Sequence, residues 1–132
     1  MAKSNNTIGT SIIAGDFDND NLPDLLLVGY KEIRLFHNEG KGKFTDVSEK
    51  AKLPKYPYLS TSVAFVDVDH DGDLDIFIAG FTNIDDGKAE VNDFAFPKEF
   101  ENVPNLLLRN NGDGIFTDIS AESKVNQSKK RF

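Results

Sequence analysis

The feature that most constrains this chain is an internal repeat. Residues Ile8 to Leu27 align with Leu59 to Ile78 without a gap, at a constant offset of 51 positions. Thr10-Ser11 falls on Thr61-Ser62, and the apolar run Leu25-Leu26-Leu27-Val28-Gly29 falls on Ile76-Phe77-Ile78-Ala79-Gly80. A second block, Leu35 to Ser48, aligns with Leu107 to Ser120 at an offset of 72. The step from 51 to 72 marks 21 residues inserted in the second copy, at roughly 81–103. A sequence that repeats in register builds the same supersecondary unit twice, and each unit must bury its apolar face against a neighbour.

Each copy reads as four short strands separated by turn chemistry. The first two strands of a copy, such as Ser62 to Val68 and Leu74 to Ala79, are apolar on both faces, as strands inside a stack of sheets are. The third and fourth are expected at Ile33 to His37 and Lys43 to Val47, then at Asn105 to Arg109 and Ile115 to Ile119. They flank Asn-Glu-Gly-Lys-Gly and Asn-Asn-Gly-Asp-Gly, whose glycines can take the positive φ that a hairpin needs. The expectation is one four-stranded sheet per copy, with the first copy at 8–58, the second at 59–125 and flexible ends at 1–7 and 126–132.

Between the first two strands of each copy lies a loop of alternating carboxylates. Asp67, Asp69, Asp71 and Asp75 occupy positions 1, 3, 5 and 9 of a nine-residue stretch, with Gly72 at position 6 and a free carbonyl at position 7, Asp73. Asp16, Asp18, Asp20 and Asp24 hold the equivalent positions in the first copy, where Leu22 offers the carbonyl and Asn21 replaces the glycine. A hard cation such as Ca2+ takes about six to eight oxygens at about 2.3–2.6 Å, and alternate residues of a tight loop can converge on one point. Gly72 permits the sharp turn, and Asn is among the few residues that tolerate the left-handed conformation, so Asn21 forms the first loop with slightly more strain. An isolated Asp-Gly pair is ordinarily a solvated turn. Four like charges drawn together twice in register would instead destabilise the loop unless a cation lay between them.

An EF-hand is excluded, because position 12, the bidentate Glu of that motif, is Leu27 in one loop and Ile78 in the other, both inside strand-like runs. Zinc and copper are disfavoured, since the convergent ligands are oxygens and the two histidines, His37 and His70, are far apart in sequence. Neither histidine is matched between the copies and neither has a Ser or Cys partner at a recognisable spacing, so no catalytic residue is expected. Paired Asp residues at every second position suit a metal better than the separated environments of a general acid and base.

The run Val63 to Ile78 and the run Asn105 to Ile119 resemble the FG-GAP or VCBS repeats of integrin-α-like β-propellers, including bacterial relatives of the ASPIC/UnbV type. The resemblance implies an all-β chain of two four-stranded antiparallel β-propeller-type blades with one inserted loop in the second. It implies one Ca2+ per repeat, two per chain, held by Asp16, Asp18, Asp20, Asp24 and the Leu22 carbonyl, and by Asp67, Asp69, Asp71, Asp75 and the Asp73 carbonyl. The family closes a ring of about seven blades, so two blades imply either a propeller fragment or a self-associating unit. Three such chains would give six blades and four would give eight.

The expected function is therefore a calcium-binding repeat module with a structural or protein-interaction role and no enzymatic activity. The alternative is a calcium-dependent carbohydrate-binding, lectin-like module, weakened by the absence of Trp. The charge of −7, from 22 acidic against 15 basic residues, repels nucleic acid and anionic membranes, and two divalent cations contributing +4 would bring it to −3. No run of 18 apolar residues suits membrane insertion, and Met1 to Thr7 is too polar for a signal peptide. Loops of modest calcium affinity fill outside the cytoplasm, which favours an extracellular or periplasmic setting. In the insertion, Phe94, Phe96 and Phe100 lie among acidic residues and are expected to pack as a lid on the blade edge, the alternative being a ligand-binding patch. Thr45-Asp46 and Thr117-Asp118 recur at equivalent places, so a structural hydrogen bond is expected once per copy.

Overall fold

A computed structural model describes residues 9–82 and 103–126. Within them the chain forms eight strands: β1 Gly9–Gly15, β2 Asp24–Gly29, β3 Glu32–Gly40, β4 Lys43–Asp46, β5 Leu59–Val66, β6 Asp75–Thr82, β7 Leu106–Asn110 and β8 Phe116–Asp118. They make two four-stranded antiparallel sheets in the orders β1-β2-β3-β4 and β5-β6-β7-β8, with no helix among the described residues. All-β architecture with one sheet per copy agrees with the sequence. Residues 83–102, which hold most of the insertion with Phe94, Phe96 and Phe100, and the ends 1–8 and 127–132 lie outside the described residues.

Register decides which residues meet. In the first sheet Leu26 opposes both Ile13 and Leu35, and Val28 opposes Ile33, so these side chains share a face. Leu26, Val28 and Leu35 are completely buried there. In the second sheet Ile76 opposes Phe65 and Leu108, while Ile78 opposes Val63 and Leu106. Ile76, Ile78 and Leu108 are also completely buried, and all of these residues join one hydrophobic cluster with Phe17, Tyr56 and Phe116.

The two buried faces are not equivalent under the repeat. Leu26 and Val28 correspond to Phe77 and Ala79, whereas the buried Ile76 and Ile78 correspond to Leu25 and Leu27. The first sheet thus presents one face of the repeat and the second presents the other, which is a head-to-tail stack. Leu25, Leu27 and Phe36 remain only half-buried at one end of the stack, as Phe77 does at the other, with Ile12 57% and Phe81 54% exposed.

Polar contacts fasten the sheets where they meet. Thr10 Oγ1 donates to the Ser60 carbonyl, Ser60 Oγ to the Gly29 carbonyl at 3.3 Å, Lys31 N to the Tyr58 carbonyl at 3.1 Å and Phe116 N to the Ala51 carbonyl at 2.9 Å. Gly15 makes room for one ring of the core: a Cβ there would stand 2.6 Å from Phe65 Cδ2.

The recurring structural bond exists, and its partner is a serine. Ser48 N and Oγ donate to Asp46 Oδ1 at 3.0 and 2.6 Å, and Ser120 N and Oγ donate to Asp118 Oδ1 at 2.9 and 2.5 Å. Each hydroxyl in turn accepts the amide of Leu35 or Leu107 at 2.9 Å. The Asp of each Thr-Asp pair anchors the turn that leaves the last strand.

Candidate metal centre

Both Asp loops are shaped by their own amides, in the same pattern. The position-1 carboxylate accepts from positions 5 and 6: Asp16 takes Asp20 N at 3.1 Å and Asn21 N at 2.8 Å, and Asp67 takes Asp71 N at 3.2 Å and Gly72 N at 2.9 Å. The position-5 carboxylate accepts from position 7, Asp20 from Leu22 N and Asp71 from Asp73 N, both at 2.9 Å. Asn21 and Gly72 take the left-handed conformation, φ 68° and 89°, as their residue types predict. So do Asn19 and His70 at position 4, φ 59° and 58°, which the sequence reading did not anticipate.

Position 9 does something different. Asp24 and Asp75 are completely buried, and each clasps its loop to the sheet. Asp24 Oδ2 accepts Phe17 N at 3.2 Å and Oδ1 accepts Asn38 N at 2.8 Å. Asp75 Oδ2 accepts Val68 N at 2.9 Å and Oδ1 accepts Asn110 N at 2.8 Å. A carboxylate has about four lone-pair sites, so an oxygen tied to an amide on one side still offers a lone pair on the other.

Carboxylate oxygens of Asp16, Asp18, Asp20 and Asp24 lie within 4.8 Å of one another, as do those of Asp67, Asp69 and Asp71. Asp75 stands apart from that second trio. The crowding registers in their acidity. Loss of water, then the Asp24 charge, pushes the Asp18 carboxyl up to about 6. Loss of water raises Asp24 too, against the amides of Asn38 and Phe17. In the second loop Asp69 is raised by loss of water and then by its hydrogen bond and repulsion with Asp71. At Asp16 and Asp67 loss of water also pushes upward, but the amides of positions 6 and 5 outweigh it and hold both acids low.

One residue departs from the expected all-oxygen set. His37, on β3, reaches the first cluster: its Nδ1 lies 3.1 Å from Asp18 Oδ2 and 3.2 Å from Asp24 Oδ1, and its Nε2 lies 3.8 Å from Asp20 Oδ2. The available signal was the strand register, because Leu25 opposes Phe36 and the next residues outward are therefore Asp24 and His37. Distance between the two histidines was the wrong criterion, since one imidazole suffices to alter a donor set.

The two loops also touch. Asn19 Nδ2 donates to Asp73 Oδ1 at 2.8 Å, and Asn110 Nδ2, from the second sheet, donates to the Phe17 carbonyl at 2.7 Å. Phe17 is the residue whose amide Asp24 holds, so one chain of bonds runs from the first loop's clasp to the second's.

A family model described as the FG-GAP-like repeat matches residues 5–78, more than half of the 132 residues. The chain belongs to the FG-GAP-like repeat family. The match takes in the whole first copy and both Asp loops of this FG-GAP protein, ending in β6. No curated protein and no solved structure matches the chain. FG-GAP-like membership and two four-stranded sheets together describe a β-propeller-like repeat module.

Proposed function

We propose that this FG-GAP chain is a calcium-binding repeat module, holding one Ca2+ in each Asp loop and serving a structural or protein-interaction role. The observation that carries the reading is the recurrence of one carboxylate arrangement, fixed by the same backbone amides, at equivalent positions of both copies. The donor chemistry fits a hard cation in the second loop, where the converging groups are Asp67, Asp69 and Asp71. It fits in the first through Asp16, Asp18, Asp20 and Asp24. Leu22 and Asp73 would add backbone carbonyls. A bound Ca2+ would neutralise carboxylates that otherwise repel one another and would lock each loop against its clasp.

The partner follows from the head-to-tail stack. A four-stranded sheet of about five-residue strands presents on the order of 300 Å² per face, and each end of the stack leaves such a face open. The open end bearing Leu25, Leu27 and Phe36 corresponds to the face that the second sheet buries, and the end bearing Phe77 to the face that the first sheet buries. Each end is therefore shaped for another repeat, from neighbouring blades of a longer chain or from a second copy. Such contacts are heterologous and close into a ring when the rotation divides the circle.

Catalysis is not part of this reading. Carboxylates tied by amides into one cluster lack the separated environments of an acid and a base. The lectin-like alternative gains little, because Tyr56 is buried and packs edge-on against Tyr58, ring centroids 5.2 Å apart. An extracellular or periplasmic setting follows from the calcium supply such loops need. No helix of the described residues is long and apolar enough to cross a membrane.

Thermal unfolding with sedimentation, in excess Ca2+ and in chelator, tests the reading on the wild type and on Asp18→Ala with Asp69→Ala. Calcium should raise the melting temperature of the wild type and not of the double variant, and the mass should report how many blades assemble. Identical melting in all four conditions would refute the calcium sites, and a monodisperse monomer would refute the ring.

A further inference from the structure

The first loop is not a copy of the second. Both position-9 carboxylates accept the same amide from the third strand, Asn38 N or Asn110 N at 2.8 Å. In the first sheet the preceding residue is His37, and in the second it is Arg109, which is exposed. His37 sits with only 23% of its side chain exposed, its ring edge-on to buried Phe17 at 6.3 Å, and its Nδ1 directed between Asp18 and Asp24. An imidazole nitrogen on β3 and carboxylate oxygens from the loop and β2 thus share one focus, with Asp18, Asp24 and His37 donors all within 4.8 Å of one another.

Calcium draws little from an imidazole, whereas the borderline cations Zn2+, Co2+ and Ni2+ favour it. Donors on adjacent vertices of a complex with bonds of about 2.0–2.1 Å stand about 2.8–3.4 Å apart, from the octahedral to the tetrahedral limit. His37 Nδ1 lies 3.1 and 3.2 Å from its two carboxylate neighbours, inside that range. In the ion-free chain the same separation serves an N–H···O hydrogen bond. A cation that displaces the Nδ1 proton finds the imidazole nitrogen already at ligand spacing from an oxygen of each of two carboxylates.

Resting on the reading that the Asp loops hold divalent cations, we infer that His37 is a specificity-determining ligand of the first loop. It adds a nitrogen donor that lets this loop take a first-row transition cation, Zn2+ above all, in competition with Ca2+. In the second loop the converging donors are the oxygens of Asp67, Asp69 and Asp71, with His70 in the loop but outside that group, so the second loop does not share that preference. The two halves of one repeat pair therefore differ in ion preference, the first admitting a borderline cation beside the hard one.

The test uses the full chain with the second loop disabled by Asp67→Asn and Asp69→Asn, titrated with Ca2+, Zn2+ and Co2+, with and without His37→Gln. Gln keeps the length and a donor but removes the aromatic nitrogen. The expected result is a loss of at least about tenfold in Zn2+ and Co2+ affinity, against less than about threefold for Ca2+. Diamagnetic Zn2+ should also move the His37 Nδ1 nitrogen resonance of the otherwise unaltered chain to the position of a metal-bound imidazole nitrogen. Equal losses for all three ions, or an Nδ1 resonance left unmoved by bound Zn2+, would overturn the inference while leaving calcium binding standing. If no divalent cation binds either loop of the unaltered chain, the proposed function falls with it. Should His37→Gln not fold, the Nδ1 resonance of the chain with native His37 decides alone.

Discussion

Asn110 offers the sharpest test of how the two sheets are joined. It is 1% exposed, and its side chain makes three bonds: Nδ2 donates to the Phe17 carbonyl at 2.7 Å and to the Leu74 carbonyl at 3.1 Å, while Oδ1 accepts Gly112 N at 2.9 Å. Its counterpart in the first copy, Asn38, is half-buried and among the described residues makes the two local bonds alone, to the Pro23 carbonyl at 2.9 Å and from Gly40 N at 2.8 Å. Ala at either position removes the local pair, each bond contributing about 0.5–1.5 kcal/mol net. Only Asn110→Ala also strands the buried Phe17 carbonyl across the interface, a further cost of about 1–3 kcal/mol. We therefore expect about 1–3 kcal/mol for Asn38→Ala and about 2–6 kcal/mol for Asn110→Ala. At about 2.1 cal/mol/K of unfolding entropy per residue, the larger loss lowers the melting temperature by on the order of 7–22 °C. Equilibrium denaturation of the two variants under one cation condition measures the difference directly. Equal losses would mean that the bond from Asn110 to Phe17 contributes nothing and that the apolar cluster and the other polar contacts join the sheets.

Gly15→Ala should destabilise the fold by about 1–3 kcal/mol, because the new methyl meets the Phe65 ring at 2.6 Å in a packed core; unchanged denaturation midpoints would contradict that packing. Cation affinity at the first loop should weaken as pH falls through about 6, where Asp18 gains a proton that the ion must displace; calorimetric titrations at two pH values on either side read this, and equal affinities would refute it. The sign reverses for the cation-free chain. Asp18 binds its proton more tightly folded than at its ordinary 3.8, so acidification from about 6 toward 3.8 adds stability at this group, which is absent above that range. Asp18→Asn should correspondingly remove the carboxylate repulsion, raising the melting temperature in chelator while weakening calcium binding, and a drop in both would show that the charge is not the source of strain.

Much of this was legible in the sequence for a physical reason: local chemistry repeats when local structure does. The carboxylates at 1, 3, 5 and 9, the left-handed demand at Asn21 and Gly72, and the four-strand rhythm each depend on residues a few positions apart. The strand ends were less legible, with β8 reduced to Phe116–Asp118 where Ile115 to Ile119 was expected. There Ile119 N turns to the Leu107 carbonyl as the chain leaves the sheet. Asp24 and Asp75 looked like the other loop carboxylates in sequence, yet burial and two amides apiece make them clasps as well as candidate donors.

By itself the sequence determined that this chain builds one unit twice and that each unit carries an acidic loop, because spacing along a strand and a tight turn is enough to dictate both. The tertiary structure alone decided which faces meet, that His37 enters the first loop and not its neighbour, and that Asn19 and Asn110 bind the loops together. Those contacts join residues up to 93 positions apart. Strand register and the head-to-tail packing of the sheets fix them, and neither is written in the spacing of nearby residues.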